Sequence, residues 1–194
     1  FTESVIREMT RLCRQHGAVN LAQGFPDFPA PQEIKDAACR AIAADVNQYA
    51  ITWGAPALRA AIAEKLKTDN GLDYKPSQVI VSCGGKHSCY NVILATCQEG
   101  DEVIIPAPYW LSYPEMVKLA GATPKYVLAD DRTGFRLTPA MVAGAITPKT
   151  RMLILNTPHN PTGGILARRD RPAHAAGERE FAPGGAQAFG PPEG

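Results

Sequence analysis

No stretch of this chain approaches the roughly 20 consecutive apolar residues that a membrane-spanning helix needs. No apolar run follows the charged start between Glu3 and Arg14 either. A membrane partner and a secretory signal are therefore not expected. Excess charge of one sign is also missing, because 20 Lys and Arg stand against 19 Asp and Glu, for a formal net charge of +1. No basic run stands out before residue 168, so the electrostatic footprint of a nucleic-acid binder is absent. The five cysteines are odd in number and show neither a CxxC spacing nor an accompanying His pair. That argues against a zinc ribbon or a disulfide framework and points to reduced, mostly buried thiols in a cytoplasmic protein. Neither GxxxxGK[ST] nor GxGxxG occurs.

What is present is the balance of a soluble globular chain, 45% apolar and 20% charged over 194 residues, enough to bury a core. Ile34, Ala37, Ala38, Ala41 and Ile42 fall on one helical face, with Pro31 suited to the first turn. Leu58, Ala61, Ile62 and Leu66 predict a second helix that starts near Pro56. Asn47 to Gly54 between them reads as an irregular loop. An alternation follows: a strand over 78–83, a Gly84-Gly85 break, a helix over 86–98, a short strand over 103–105 stopped by Pro106 and Pro108, a helix over 113–119 and a strand over 125–129. Thr138-Pro139 starts a further helix, and 152–155 forms another strand. Strands separated by helices predict βαβ units and a mainly parallel sheet, with ligands at the strands' carboxyl ends. The tail is different: residues 167–194 hold no Ile, Leu, Val or Met, and Ala, Gly and Pro supply 16 of its 28 positions. Such a low-complexity segment is expected to be disordered.

Four segments could carry chemistry. At Gly84-Gly85-Lys86 a strand meets a helix start, where free amides and the helix dipole attract an anion such as a phosphate. A plain turn needing glycine for geometry alone is the alternative. Trp110, in Pro108-Tyr109-Trp110, could stack on a planar ring or pack in the core. Asn156 to Gly164 combines two prolines and two glycines with Asn160, whose amide both donates and accepts. Gln23 to Pro29 is a structured loop.

Taken together, NLAQGFPDFPAP (Asn20 to Pro31), NQYAITWGAPALR (Asn47 to Arg59), GDEVIIPAPYW (Gly100 to Trp110) and NTPHNPTGG (Asn156 to Gly164) resemble the class I/II, or fold-type-I, pyridoxal-phosphate aminotransferases, in their aspartate, kynurenine and methionine branches. The resemblance covers about residues 1 to 166. It implies an α/β fold: a partial large domain of the PLP-transferase type, three-layer α/β/α, over 47–166, preceded by an N-terminal arm and small-domain part over 1–46.

It also implies the cofactor pyridoxal 5'-phosphate, with Gly84, Gly85 and Lys86 at its phosphate and Trp110 stacked on its pyridine ring. Asn160 would contact the ring oxygen and the substrate carboxylate, Gly24 would lie near that carboxylate, and Tyr49 would reach the phosphate of a neighbouring subunit in a homodimer. The substrates implied are an amino acid and a 2-oxo acid. The bonds before Pro108 and Pro161 are expected to be cis. The family's pattern stops after Leu166. All eight lysines, the last being Lys149, precede the Asn160 turn, so none matches the Schiff-base lysine. No catalytic residue is assigned, and the 194 residues are expected to be an inactive fragment.

Overall fold

A computed structural model describes residues 4–24 and 26–166. The low-complexity tail of the sequence reading lies outside the described residues. The chain divides into two units, Phe1–Tyr49 and Ala50–Gly194.

The first unit is helical. Helix α1 (Val5–His16) starts where the Ser4 side chain accepts from the Arg7 amide and stops at Gly17, whose φ of 63° closes the last turn onto Cys13. The apolar spacing did not predict this helix. Its signals are the start and stop residues Ser4 and Gly17. Beyond it the Asn20 side chain organises the approach to Gly24, donating to Thr10 Oγ1 at 3.1 Å and accepting from the amides of Ala22 and Gln23. Helix α2 (Gln32–Ala43) follows Pro31 as its apolar period predicts.

The second unit opens with the irregular segment up to Gly54 and with helix α3 (Pro56–Asn70), which has proline at its start and Gly71 in the left-handed region at its end. A single 3-10 turn, Pro76–Gln78, packs against α3, and the Arg59 side chain ties the two together by donating to the carbonyls of Pro76 and Val79. Then come α4 (Gly85–Thr96), β1 (Glu102–Ala107), α5 (Ser112–Leu119), β2 (Thr123–Leu128), α6 (Pro139–Ala145) and β3 (Thr150–Leu153). The Thr138 hydroxyl accepts from Met141 and starts α6.

All strands are parallel, in the order β2-β1-β3. Helices cover both faces. Val103 and Ile105 of β1 point to a cluster with Ile93 of α4, Cys97 just after it, and Met116 and Val117 of α5. Ile104 points the other way, to Val127, Leu137 and Val142 of α6. Three successive fully buried residues in β1 are what a parallel strand covered on both faces requires. The result is the expected three-layer α/β/α arrangement.

Two details depart from expectation. Pro106 does not stop β1 but lies inside it. Ile104 accepts from Ile154 on the β3 side and Ala107 accepts from Ala129 on the β2 side. Residues alternate sides, so the donor that Pro106 lacks belongs to the β3 side, where β3 has already ended at Leu153. The strand predicted over 78–83 does not form. Its backbone is extended at Val79, and Val81 donates to the Trp53 carbonyl, but no strand pairs with it among the described residues. β-Branched sequence supplies the conformation; only a neighbour supplies the ladder.

Candidate functional site

The carboxyl ends of β1 and β3 and the first turn of α4 carry the residues singled out in the second unit. At α4 the chain passes Gly84 with φ 84° and ψ 165°, a conformation close to glycine-only, and enters the helix at Gly85. A Cβ built on either glycine would meet nothing within 4 Å, so there is open space above the turn. The amides of Gly85, Lys86 and His87 head the helix and have no acceptor within it. The entering loop is braced by the Cys83 amide, which donates to His87 Nδ1 at 3.2 Å, while the Ser88 hydroxyl turns back to the Gly84 carbonyl.

Lys86 reaches across to the next loop. Its ammonium lies 5.0 Å from the centre of the Trp110 ring, a cation–π contact. Trp110 is half-buried, set edge-on against the buried Tyr113 at 5.2 Å. Its loop is further fixed by Tyr109, which stacks on Tyr126 of β2 with centroids 5.0 Å apart. Of the two roles considered for it, core packing is the one observed, against Tyr113, and Lys86 lies over its ring.

The third element is the turn after β3. Its bonds before Pro158 and Pro161 are cis, as is the one before Pro108, so the two cis bonds expected are found together with a third. The Asn160 amide donates to Asn156 Oδ1 at 2.8 Å, and the Asn160 side chain is exposed. The His159 ring shares a 2.7 Å hydrogen bond with the Thr162 hydroxyl. His159, Pro108, Tyr109, Phe135, Arg136 and Leu166 are among the residues lining a mainly apolar depression of about 60 Å³. Burial holds the His159 imidazole below its ordinary pKa of 6.5, opposed only by the Pro108 backbone.

The glycine turn, the tryptophan loop and the Asn-Pro turn follow one another along the chain, the first two joined by the Lys86–Trp110 contact. Residues 16–171 match the family profile described as Aminotransferase class I and II. The chain belongs to that family. The aspartate/prephenate aminotransferase of Cereibacter sphaeroides is 52% identical over 152 residues, 78% of this chain and 38% of that protein. The aspartate aminotransferase of Geobacillus stearothermophilus is 46% identical over 155 residues, 80% and 39% of the two lengths. Among solved structures, the aspartate aminotransferase of Thermus thermophilus with maleate superposes with a TM-score of 0.81 at 41% identity, covering 86% of this chain and 45% of that one. The N-succinyldiaminopimelate aminotransferase of Mycobacterium tuberculosis gives 0.82 at 40% identity, covering 88% and 45%. The chain therefore spans about two fifths of the length of the relatives it matches.

Class I and II aminotransferases depend on pyridoxal phosphate. The α4 turn is compatible with its phosphate, since a Cβ at Gly84 or Gly85 would project into space otherwise open beside three unpaired amides. Among the assigned residues, Gly84, Gly85, Lys86 and Trp110 form one group, linked by the Lys86–Trp110 contact. Asn160 lies on the separate turn after β3, where its main-chain amide is bound to Asn156. Gly24 and Tyr49 belong to the first unit, where Gly24 has open space around it and Tyr49 is fully exposed. His159 and His87 were not singled out by sequence. Each sits inside a segment that was, but the role of each depends on which loop its ring faces.

Proposed function

We propose that this chain supplies the phosphate- and ring-holding part of an aminotransferase site, in which an amino group passes from an amino acid to a 2-oxo acid. The observation that carries the reading is the open glycine turn at the head of α4, beside a tryptophan whose face already attracts the Lys86 cation. When bound, pyridoxal phosphate supplies the electron-withdrawing ring that makes the α-proton of an amino acid acidic.

The chain's own residues would do the rest. The amides of Gly85, Lys86 and His87 hold the phosphate, and the Lys86 ammonium adds charge. Trp110 excludes water from one face of the ring. The exposed Asn160 side-chain amide orients the ring oxygen and the substrate carboxylate. Gly24 lies near that carboxylate, and Tyr49 reaches the phosphate of a second subunit in a homodimer. Its relatives' names point to aspartate as the amino donor. The odd cysteine count without a CxxC spacing supports a reducing cytoplasmic setting, although only Cys97 of the five thiols is buried, fewer than expected. No helix among the described residues is long and apolar enough to cross a membrane.

None of the eight lysines lies beyond Lys149. These 194 residues by themselves would therefore hold the cofactor non-covalently and not turn over. Titrating the purified chain with pyridoxal phosphate, recording the visible spectrum and then adding borohydride tests this. Saturable binding without covalent attachment, stronger than for ATP or NAD, is the expected result. A preference for either nucleotide, or no binding at all, refutes the cofactor assignment. Covalent fixation refutes the non-covalent part.

A further inference from the structure

We propose that Arg59 is a positioning residue for the phosphate turn: from the first turn of α3 its side chain fixes residues 79–83, and through them Gly84 and the head of α4. Arg59 stands at the unfavourable end of a helix for a cation, because the dipole makes a helix start positive. Acceptors from elsewhere hold it there. Its Nε donates to the Pro76 carbonyl at 3.0 Å and to the Val79 carbonyl at 2.9 Å. The guanidinium carbon lies 5.7 Å from the centre of the Trp53 ring.

The same stretch of chain grips the segment a second time. The Val81 amide donates to the Trp53 carbonyl at 3.1 Å. Next to that carbonyl, Gly54 has φ 104° and comes so close that a Cβ on it would lie 2.5 Å from Val81 Cγ2. Glycine is required there by the backbone and by the contact. Residues 79–83 have no ladder among the described residues, so the bonds at Val79 and Val81 set their course. Two residues on, the Cys83 amide donates to His87 and the chain turns at Gly84 into α4. The helix enters the core only from Cys89 onward, while Gly85 to Ser88 are exposed. Its head is therefore located from the upstream side, by a run of bonds that begins at Arg59.

The role of this brace toward a phosphate rests on the function proposed above; the brace itself does not, and the experiment separates them. Without ligand, hydrogen exchange is followed at the Val81 and Cys83 amides and at those of β1, in the parent chain and in Arg59→Ala. Inorganic phosphate and pyridoxal phosphate are then titrated separately. The Val81 and Cys83 amides are expected to exchange at least about tenfold faster in the variant, with β1 unchanged. Both ligands are expected to weaken together by about tenfold, because the turn meets the group they share. Gly54→Ala displaces Val81 without touching Arg59; it is expected to give the same pattern, and it decides the matter if Arg59→Ala does not fold. Equal acceleration in β1 would make Arg59 a support of the whole fold and overturns the proposal. Unaltered exchange at Val81 and Cys83 overturns it too, as does unaltered phosphate affinity where the parent binds. If the parent chain binds neither ligand, the proposed function fails while the exchange comparison still decides the brace.

Discussion

Gly84 and Gly85 are adjacent and equally uncrowded, yet their backbones ask for different things. Gly84 holds φ 84° and ψ 165°, where any side chain clashes with its own main chain. Gly85 is the first residue of α4 with no positive φ, so its hydrogen is not required by geometry. Replacing Gly84 by alanine should cost about 1–3 kcal/mol of stability in denaturant unfolding. Gly85→Ala should leave the fold unharmed or stabilise it by up to about 1 kcal/mol. The same change should lower pyridoxal phosphate affinity by at least about tenfold, because the new methyl occupies the space a phosphate needs. A stabilised Gly85→Ala chain with unaltered binding would show that the second glycine is there for folding alone.

β1 and the segment 78–83 carry similar sequences, Glu-Val-Ile-Ile-Pro-Ala and Gln-Val-Ile-Val-Ser-Cys, and end up in different environments. Ile105 is fully buried between α4 and α5, whereas Ile80 is 65% exposed and its segment has no ladder among the described residues. Ile105→Ala should cost about 2–5 kcal/mol through lost burial and the cavity left behind. Ile80→Ala should stay within about 0.5 kcal/mol. Urea unfolding of the two variants measures the contrast, and equal losses would mean that the 78–83 segment is buried in solution. The helices show the converse: α2, α3 and α6 begin where Pro31, Pro56 and Thr138 predicted, since start signals act locally and need no neighbour.

Acid stability of the whole chain combines two distant groups. His159 titrates below its ordinary value because burial opposes the imidazolium, and no carboxylate is among the causes acting on it. Glu102 titrates below its ordinary value because the Thr147 hydroxyl donates to the carboxylate at 2.7 Å and Lys125 adds a bond at 3.3 Å. Both groups bind protons less readily folded than unfolded, so the stability they contribute is present at neutral pH and lost on acidification. The His159 contribution should begin to fall as pH drops below 6.5 and be gone below the folded value. The Glu102 contribution should fall below 4.5. Melting temperature against pH should show both declines, with His159→Asn removing the upper one and Glu102→Gln the lower. A flat profile from pH 7 to 5 in the parent chain would contradict the environment assigned to His159.

The helices from α2 onward, the parallel sheet and the family were legible in the linear chain, because helix starts, apolar periods and the Gly84, Trp110 and Asn160 motifs are each encoded within a few neighbouring residues. The Lys86–Trp110 contact, the place of Pro106 inside β1 and the unpaired 78–83 segment were not. Each depends on which distant segment arrives alongside, and no local pattern of polarity or backbone preference contains that information. Only the packed structure determines which of two similar apolar runs gains a ladder, and which aromatic ring a lysine finally faces.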